Sequence, residues 1–387
     1  MTLLDPQDWT FPVPIAYGPG RLAEIGALCR AAGMRYPLIA TDRGSRDLPF
    51  IAALQGHLTG AGLGSGLFAE ISPNPRDTEI GLGAAAFRDG GHDGVIGIGG
   101  GSAMDGAKAI ALTALSDTAL WDFEFERPTP DLAPNRFPPL ICIPTTAGTG
   151  AETESTAMVT DTDQGMKFCV WHPRLKPAHA VLDPELTLGL PRDLTAWTGI
   201  DALTHAVEAY CVPGFHPLCD GAALEGLRLV ARWLPVAVDQ PNSLEARGGM
   251  LTGSCLAGVA FLKGLGIVHA ISHMVGAEFE THHGLTNAVL LPVALRFNAS
   301  ATTDQVRPLA EAMDLRDHSA EGLHTAICDL LDRFEIPRSL GEIGVPGDCA
   351  PRIAAKAMHD SAAGTNPRQA TLAEMEALIA EGIAAAR

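Results

Sequence analysis

The hydrophobic pattern of the first half of the chain alternates short apolar runs with stretches rich in Ala and Gly. Apolar runs at 35–42, 93–101, 138–146 and 179–186 predict strands, and the spacing over 102–115 predicts a helix. Strands that alternate with helices form βαβ units, whose strands pair in parallel. We therefore expect an α/β fold class for this half, with a Rossmann-like parallel sheet.

The pattern changes after Asp183-Pro184, where helical periodicity replaces the strands. The segment 194–210 is the clearest example, and similar spacing continues towards the end of the sequence. A chain of 387 residues is longer than one hydrophobic core usually organises. We predict two domains, an α/β domain over 1–184 and an all-helical domain over 185–387.

Charge and composition argue against two classes of partner. The formal net charge is -18, whereas nucleic acids and anionic membranes require a basic surface.

The sequence has no apolar run of about 18 residues, and its N-terminus lacks the basic and apolar regions of a signal peptide. Its eight cysteines form no CxxC pair, which is typical of reduced thiols. We expect a cytoplasmic protein with neither nucleic-acid nor membrane partners.

A glycine-rich turn, GIGGGSAMDGAK over 97–108, joins a predicted strand to a predicted helix. Its glycines let the backbone approach a ligand closely, and the helix N-terminus that follows favours a pyrophosphate. Ser102 and Asp105 also fit a capping box, so a plain helix start without a ligand is the alternative. The candidate pyrophosphate-binding glycines are Gly99, Gly100 and Gly101.

Two further features would complete a nucleotide site. Asp42 ends a predicted strand, where a carboxylate can bind the ribose 2′-hydroxyl of NAD and repel the 2′-phosphate of NADP. The loop PTTAGTGAETES follows another strand and offers the hydroxyls of Thr145, Thr146 and Thr149. Because ligands bind at the carboxyl ends of parallel strands, both features favour a nucleotide. A strand-ending Asp and a threonine-capped loop without a ligand are the alternatives.

Histidines are concentrated in HAISHMVGAEFETHHG, residues 269–284, which holds four of the thirteen in the chain. His269 and His273 are four residues apart, so in a helix both would lie on one face. Asp201 and His205 have the same spacing in GIDALTHAVEAY. One carboxylate and several imidazoles suit a divalent transition metal such as Fe(II) or Zn(II). The spacing alone leaves open which three histidines bind.

Motifs spread along nearly the whole chain resemble those of iron-containing (group III) alcohol dehydrogenases, and their order and spacing agree with that family. They are SPNP, GGGSAMDGAK, PTTAGTGAE, LDPEL, TGIDALTHAVEAY, GIVHAISH, HGLTNAVLLP and TNPR. The resemblance implies a dinucleotide-binding α/β domain followed by an all-helical, metal-binding domain.

The resemblance also assigns roles to the metal and proton-transfer residues. It implies metal ligands at Asp201, His205, His269 and His283, and it removes His273 from the ligand set. The histidine that matches His273 lies beside nicotinamide and substrate in the family, where it helps relay a proton. The metal is expected to be Fe2+, with Zn2+ as the alternative. It would act as a Lewis acid on an alcohol oxygen, while hydride passes between the alcohol carbon and nicotinamide.

The cofactor implied by the resemblance is NAD. The glycine-rich turn matches the pyrophosphate loop of the family, and Asp42 matches its ribose-binding carboxylate. Further cofactor contacts are implied at the three threonines and at Lys167. The full cofactor-binding set is Asp42, Gly99, Gly100, Gly101, Ser102, Asp105, Thr145, Thr146, Thr149 and Lys167.

The segment AFLKGLGIVH departs from the commonest family pattern, because it is shorter by one residue and carries Lys263. We hypothesise that this cation binds an anionic tail on the substrate; a solvent-facing lysine is the alternative. Thr156 and Phe261 are small or apolar candidates for the cavity wall, which suits a small primary alcohol or its aldehyde. Because the family is often dimeric or larger, a homodimer or larger homo-oligomer is expected.

Related enzymes remain as alternatives. A zinc glycerol dehydrogenase usually binds its metal through one Asp and two His, so the presence of His283 favours the iron type. A maleylacetate reductase is another relative, against which the full ligand set argues. A dehydroquinate synthase-like lyase shares the fold, NAD and metal, but the DALTHAVEAY motif favours a dehydrogenase. A non-enzymatic binding protein would not need a complete ligand set beside a cofactor loop.

Overall fold

The computed structural model describes residues 7–9 and 12–385. The chain divides into two compact units, neither of which is continuous in sequence. The first draws on Met1–Thr146, Ala151–Leu190 and Asn242–Leu251, and the second on Ala147–Gly150, Pro191–Pro241 and Thr252–Arg387. The boundary at residue 185 is simpler than these ranges and stays a prediction.

The first unit is built on a seven-stranded sheet and a separate two-stranded hairpin. The strands, in chain order, are β1 (Gln7–Trp9), β2 (Ile15–Tyr17), β3 (Leu38–Asp42), β4 (Gly66–Ile71), β5 (Val95–Gly99), β6 (Leu140–Pro144), β7 (Thr156–Asp161), β8 (Met166–Trp171) and β9 (His179–Leu182). The sheet order is β1-β2-β9-β6-β5-β3-β4, and only the β1–β2 pair is antiparallel. The prediction of a parallel sheet is confirmed.

Residues of the central strands alternate between two hydrophobic clusters. Leu140 and Cys142 of β6 belong to one cluster, whereas Ile141 and Ile143 belong to the other. Successive side chains of a strand point to opposite faces, so each face of the sheet has its own core. Because both faces are covered, these strands are continuous apolar runs in the sequence, which is typical of parallel sheets.

Helices flank the sheet in the first half of the chain and dominate the chain from Arg192 onward. The helix predicted over 102–115 is confirmed as α4. The helices are α1 (Ile25–Ala31), α2 (Pro49–Gly60), α3 (Asp77–Asp89), α4 (Gly101–Ala114), α5 (Arg192–Cys211), α6 (Pro217–Asp239), α7 (Leu244–Ala260), α8 (Ile267–Phe279), α9 (His283–Asn298), α10 (Thr303–Ala312), α11 (Ala320–Arg333), α12 (Ala350–Ala357), α13 (Ser361–Thr365) and α14 (Leu372–Ala385).

No single helix in the described part of the chain has both the length and the apolar character needed to cross a membrane. Two neighbouring segments, Leu244–Lys263 and Ile267–Phe279, satisfy that test only when taken together, and they are bent by 104°.

Candidate metal and cofactor sites

Three helices of the second unit bring four candidate metal ligands together. Asp201 and His205 lie one turn apart on α5, His269 is on α8, and His283 is the first residue of α9. One ligand atom from each residue lies within 4.8 Å of all the others. The Nε2 atoms of His269 and His283 are 3.9 Å and 3.7 Å from Asp201 Oδ1. A single cation can therefore reach one oxygen and three nitrogens.

Hydrogen bonds fix the tautomers of two of the histidines. His205 Nδ1 lies 3.2 Å from the Gly148 carbonyl oxygen, and His269 Nδ1 lies 2.6 Å from Glu208 Oε2. Carbonyl and carboxylate oxygens only accept, so both Nδ1 atoms must donate. In the neutral form of each ring, Nε2 therefore carries the lone pair that binds a metal.

Burial and neighbouring charge set the ionisation of these two imidazoles. Burial lowers the pKa of His205 to about 4, against the opposing charge of Asp201. Burial also lowers the pKa of His269, but the hydrogen bond and charge of Glu208 outweigh it and raise that pKa overall. His205 is thus neutral at physiological pH, as a metal ligand must be.

The hydrogen-bond contacts of Asn287 on α9 show whether the ligand set suits a cation. Its Nδ2 atom lies 2.7 Å from Asp201 Oδ1 and 3.1 Å from Nε2 of both His269 and His283. Two amide protons cannot satisfy three acceptors. Asn287 Oδ1 is buried and, within the described residues, has no hydrogen-bond partner. A cluster with surplus lone pairs and an orphaned amide oxygen fits a divalent cation.

The neighbouring histidines of the segment have other partners. His273 lies one turn after His269 on α8, and its Nδ1 atom is 2.8 Å from Asp360 Oδ2. Its ring centroid is 5.4 Å from that of His283. His282 caps α9, because its side chain accepts from the Leu285 backbone N–H. The helix α8 ends at Phe279, and α9 begins at His283.

In the first unit, the glycine-rich turn joins β5 directly to α4. Gly99 has a φ of 141°, and a Cβ there would lie 3.0 Å from Asp42 Oδ2 and 2.7 Å from Ala103 Cβ. Only glycine fits this position. The predicted capping box of Ser102 and Asp105 is wrong, because α4 begins at Gly101 and its N-cap is Gly100. No side chain caps this helix end, which suits a ligand that binds backbone N–H groups.

The ends of β3, β5 and β6 bring the other predicted cofactor residues of this unit together. The Thr145 N–H donates to the Gly99 carbonyl at 2.9 Å, and a Cβ on Gly100 would lie 3.6 Å from Thr146 Cγ2. Asp42 accepts from the backbone N–H and the hydroxyl of Ser45, at 2.9 Å and 2.7 Å. These residues thus line one edge of the sheet, whereas Thr149 belongs to Ala147–Gly150 of the second unit.

Charged side chains of α4 and β8 lie close together. Lys167 on β8 donates to Asn74 Oδ1 at 3.2 Å, and Lys108 donates to the Thr156 carbonyl at 2.9 Å. Burial raises the pKa of Asp105 to about 6, although the charges of Lys108 and Lys167 act in the opposite direction. Asp105 therefore faces this cation pair instead of capping the helix.

Two family models together match most of the chain. The model described as iron-containing alcohol dehydrogenase matches residues 12–184, and the one described as Fe-containing alcohol dehydrogenase family, C-terminal, matches residues 195–383. The chain belongs to the iron-containing alcohol dehydrogenase family. The resemblance inferred from the motifs is confirmed.

Individual relatives match over nearly their whole length. The NAD-dependent methanol dehydrogenase of Bacillus methanolicus is 35% identical, with 95% of this chain and 97% of the relative covered. The crystal structure of 1,3-propanediol oxidoreductase is 35% identical and has a TM-score of 0.89, with 95% and 97% coverage. The NAD+ complex of sulfoacetaldehyde reductase from Bifidobacterium kashiwanohense is 30% identical and has a TM-score of 0.85, with 99% and 100% coverage.

The turn at which this family member departs from the common pattern lies next to a candidate ligand. Phe261 and Lys263 lie in a 3-10 helix after α7, and the Phe261 ring centroid is 5.0 Å from that of His205. The Lys263 side chain is only 8% exposed, and its Nζ lies 2.6 Å from Asp220 Oδ1. The ion pair compensates the lysine charge, which counts against an anion-binding role.

Proposed function

We propose that this protein is a divalent-metal-dependent, NAD(H)-linked alcohol dehydrogenase that also works as an aldehyde reductase. The observation that carries the proposal is the cluster of Asp201, His205, His269 and His283, within a chain of the iron-containing family. Fe2+ is the proposed metal and Zn2+ the alternative, since the ligand types suit both ions.

The residues of the site have separate tasks in this reaction. When bound, the cation would polarise the oxygen of the alcohol or aldehyde, and NAD(H) would exchange hydride with its carbon. Asp201 supplies the negative charge of the ligand set, and His205 and His269 present Nε2 lone pairs because their Nδ1 protons are engaged. His273 is the proposed proton relay, and its Nε2 is the nitrogen that Asp360 leaves available.

Preference for NAD over NADP is proposed from the end of β3. The Asp42 carboxylate would repel a 2′-phosphate and accept from a ribose hydroxyl. Arg43 beside it could offset that repulsion, but its Nη2 atom lies 2.9 Å from Glu79 Oε1 and its Nε lies 3.6 Å from Glu70 Oε2. The N-terminus of α4 has no side-chain cap, so its backbone N–H groups are available to a cofactor. This supports the other cofactor contacts proposed above.

The proposed substrates are small primary alcohols and their aldehydes. The Phe261 ring lies beside His205, so an apolar side chain would face a substrate bound at the metal. The names of two relatives refer to methanol and 1,3-propanediol, which are small alcohols. A third relative is named for sulfoacetaldehyde, an anionic aldehyde. Binding of such an anion by Lys263 stays a prediction, against which the Asp220 pair stands.

The decisive experiment measures NADH oxidation by anaerobically purified protein loaded with Fe(II), over neutral and acidic short-chain aldehydes. Zn(II)-loaded and metal-free protein, and NADPH in place of NADH, are the controls. Metal-dependent turnover with a preference for NADH is expected. Tight binding of metal and NAD without turnover of any aldehyde would favour the lyase alternative. Lys263→Met should raise KM for acidic aldehydes far more than for neutral ones, and equal changes for both would refute its anion-binding role.

We further propose a homodimer or larger homo-oligomer in the cytoplasm, without nucleic-acid or membrane partners. All eight cysteines are free thiols, which suits a reducing compartment. The domain division at residue 185 is proposed alongside, with the dinucleotide site before it and the metal site after it. Sedimentation velocity of the metal-loaded protein tests the oligomer, and a single monomeric species would refute it.

A further inference from the structure

Glu208 is a buried carboxylate on the same helix as two of the candidate metal ligands. It follows Asp201 by seven residues and His205 by three, so all three side chains lie on one side of α5. Its side chain is only 5% exposed. A carboxylate buried to this extent is costly unless hydrogen bonds or an opposite charge compensate it.

Three donors from the start of α8 meet this carboxylate. Oε2 accepts from the Gly266 N–H at 3.0 Å and lies 2.6 Å from His269 Nδ1. Oε1 accepts from the Val268 N–H at 2.8 Å. Backbone N–H groups can only donate, and a helix N-terminus favours negative charge, so the arrangement suits an ionised Glu208.

The backbone at the start of α8 is shaped to admit Glu208. A Cβ on Gly266 would lie 2.7 Å from Glu208 Oε1, so a larger residue would push the carboxylate away. Asn366 holds the next N–H of the helix, because its Oδ1 accepts from Ile267 at 3.0 Å. The position of the carboxylate relative to His269 is therefore fixed from both sides.

We propose that Glu208 is a positioning residue for the metal, which acts through His269. It holds the proton on Nδ1, aims the Nε2 lone pair at the other ligand atoms and makes that nitrogen a stronger donor. It also adds a second negative charge beside that of Asp201, so that the site is neutral when a divalent cation binds. The proposal rests on the proposed metal-dependent function.

A purely structural role for Glu208, as a cap that ties α5 to α8, predicts a different result on substitution. Glu208→Gln keeps the size of the side chain and removes its charge. If only helix capping mattered, the variant would lose stability but bind metal normally once folded. If Glu208 supports the metal, affinity should fall about 10- to 100-fold, the range typical of such partners.

The test measures Co(II) affinity by competition with a chelator, together with the visible spectrum of bound Co(II), in the full-length protein. Glu79→Gln is the matched control, because Glu79 is also buried and accepts backbone N–H groups, from Ser72 and Arg76, at the start of α3 in the first unit. We expect weaker affinity and an altered spectrum for Glu208→Gln alone. Circular dichroism of the metal-free proteins establishes that each variant is folded.

Each outcome decides something. Wild-type affinity and spectrum in Glu208→Gln, or equal losses in both variants, would overturn the role of Glu208. Failure of the wild-type protein to bind Co(II), Fe(II) or Zn(II) would instead overturn the proposed function. If Glu208→Gln does not fold, Glu208→Asp replaces it, because it keeps the charge but draws the carboxylate back from His269. Weaker affinity and an altered spectrum are expected there too, and unchanged values would overturn the proposal.

Discussion

At the scale of single side chains, the proton route proposed for His273 depends on Asp360. The Asp360 carboxylate has two contacts, with Oδ2 on His273 Nδ1 and Oδ1 on the Ala362 N–H at the start of α13. Asparagine is as good an N-cap as aspartate, so Asp360→Asn separates the two tasks. General acid–base catalysis typically contributes about 10²–10⁴-fold, so we expect kcat to fall at least about tenfold.

The readouts for Asp360→Asn are kcat, its solvent isotope effect, metal content and the melting temperature. Only the two kinetic values should change, because Asn keeps the cap and no metal ligand is altered. An unchanged kcat with an unchanged isotope effect would show that His273 needs no carboxylate partner.

A second residue-scale prediction concerns Glu154, a buried acid outside the metal site. Burial raises the pKa of Glu154 to about 7, with the charges of Lys108 and Lys176 acting in the opposite direction. Between the ordinary pKa of 4.5 and about 7, the unfolded chain ionises this group while the folded protein keeps it protonated. The free energy of unfolding contributed by Glu154 therefore falls as pH rises through this window, by roughly 1.4 kcal/mol for each unit of pKa difference.

Glu154→Gln should remove this pH dependence. Urea unfolding at pH 5 and pH 7.5 is the measurement, and the quantity compared is the difference between variant and wild type. That difference should move in favour of the variant at the higher pH. Exposed Glu126→Gln is the control, because its carboxylate lacks the burial to which the effect at Glu154 is attributed. A constant difference for Glu154→Gln as well would mean that the group ionises freely in the folded protein.

At the scale of elements, the sequence predicts helices and strands whose hydrophobic pattern is uniform. It fails where that pattern is mixed or the element is very short. The helices predicted over 102–115 and 194–210 differ from α4 and α5 by no more than two residues at either end. The strands β1, β2, β4, β7 and β8 were not predicted. The first two have only three residues each, and the other three mix buried positions with partly or fully exposed ones. A strand that is buried on one face only has a weaker hydrophobic pattern in the sequence than a strand that is buried on both faces.

The candidate site was predictable only in part. Helical spacing identifies side chains that share one face of a helix, but it does not show which helices distant in sequence pack together. The spacing of Asp201 and His205 is enough by itself to place both side chains on one face of α5. Glu208 shares that face, yet its partner His269 is 61 residues away, and nothing local in the sequence links them. Asp360 is 87 residues from His273 and was missed for the same reason.

Close packing of the last part of α7, which belongs to the second unit, gives an element-scale prediction. A Cβ on Gly258 would lie 2.6 Å from Gly150 Cα, and backbone cannot move aside as a flexible side chain can. Gly258→Ala should therefore destabilise the protein, by roughly 1–3 kcal/mol for overpacking. On the exposed face of α6, a Cβ on Gly221 would meet nothing within 4 Å.

Gly221→Ala is thus the matched control for Gly258→Ala. It should stabilise the helix by roughly 0.5–1 kcal/mol, because alanine loses less backbone entropy on folding than glycine. Urea midpoints of the two variants should move in opposite directions relative to the wild type. Equal stabilisation by both would show that Gly150 and α7 separate at little cost.

At the scale of the whole molecule, the four candidate ligands all belong to one of the two units, so metal removal should act unevenly. A ligand at 100 times its dissociation constant stabilises the state that binds it by about 2.7 kcal/mol. The binding helices α5, α8 and α9 carry the ligands, whereas β3, β5 and β6 of the other unit carry none. Parts of a protein open locally with their own free energies. Metal binding can therefore stabilise the unit that carries the ligands without stabilising the other unit.

Hydrogen exchange with and without a chelator distinguishes local from global stabilisation by the metal. We expect removal of Fe(II) or Zn(II) to speed exchange in α5, α8 and α9 and to leave the central strands nearly unchanged. NAD added without metal should show the reverse pattern, with protection near Gly99–Gly101 and Asp42. If removing the metal instead speeds exchange equally in both units, the two units open as one cooperative body. No change anywhere would mean that the four side chains hold no metal.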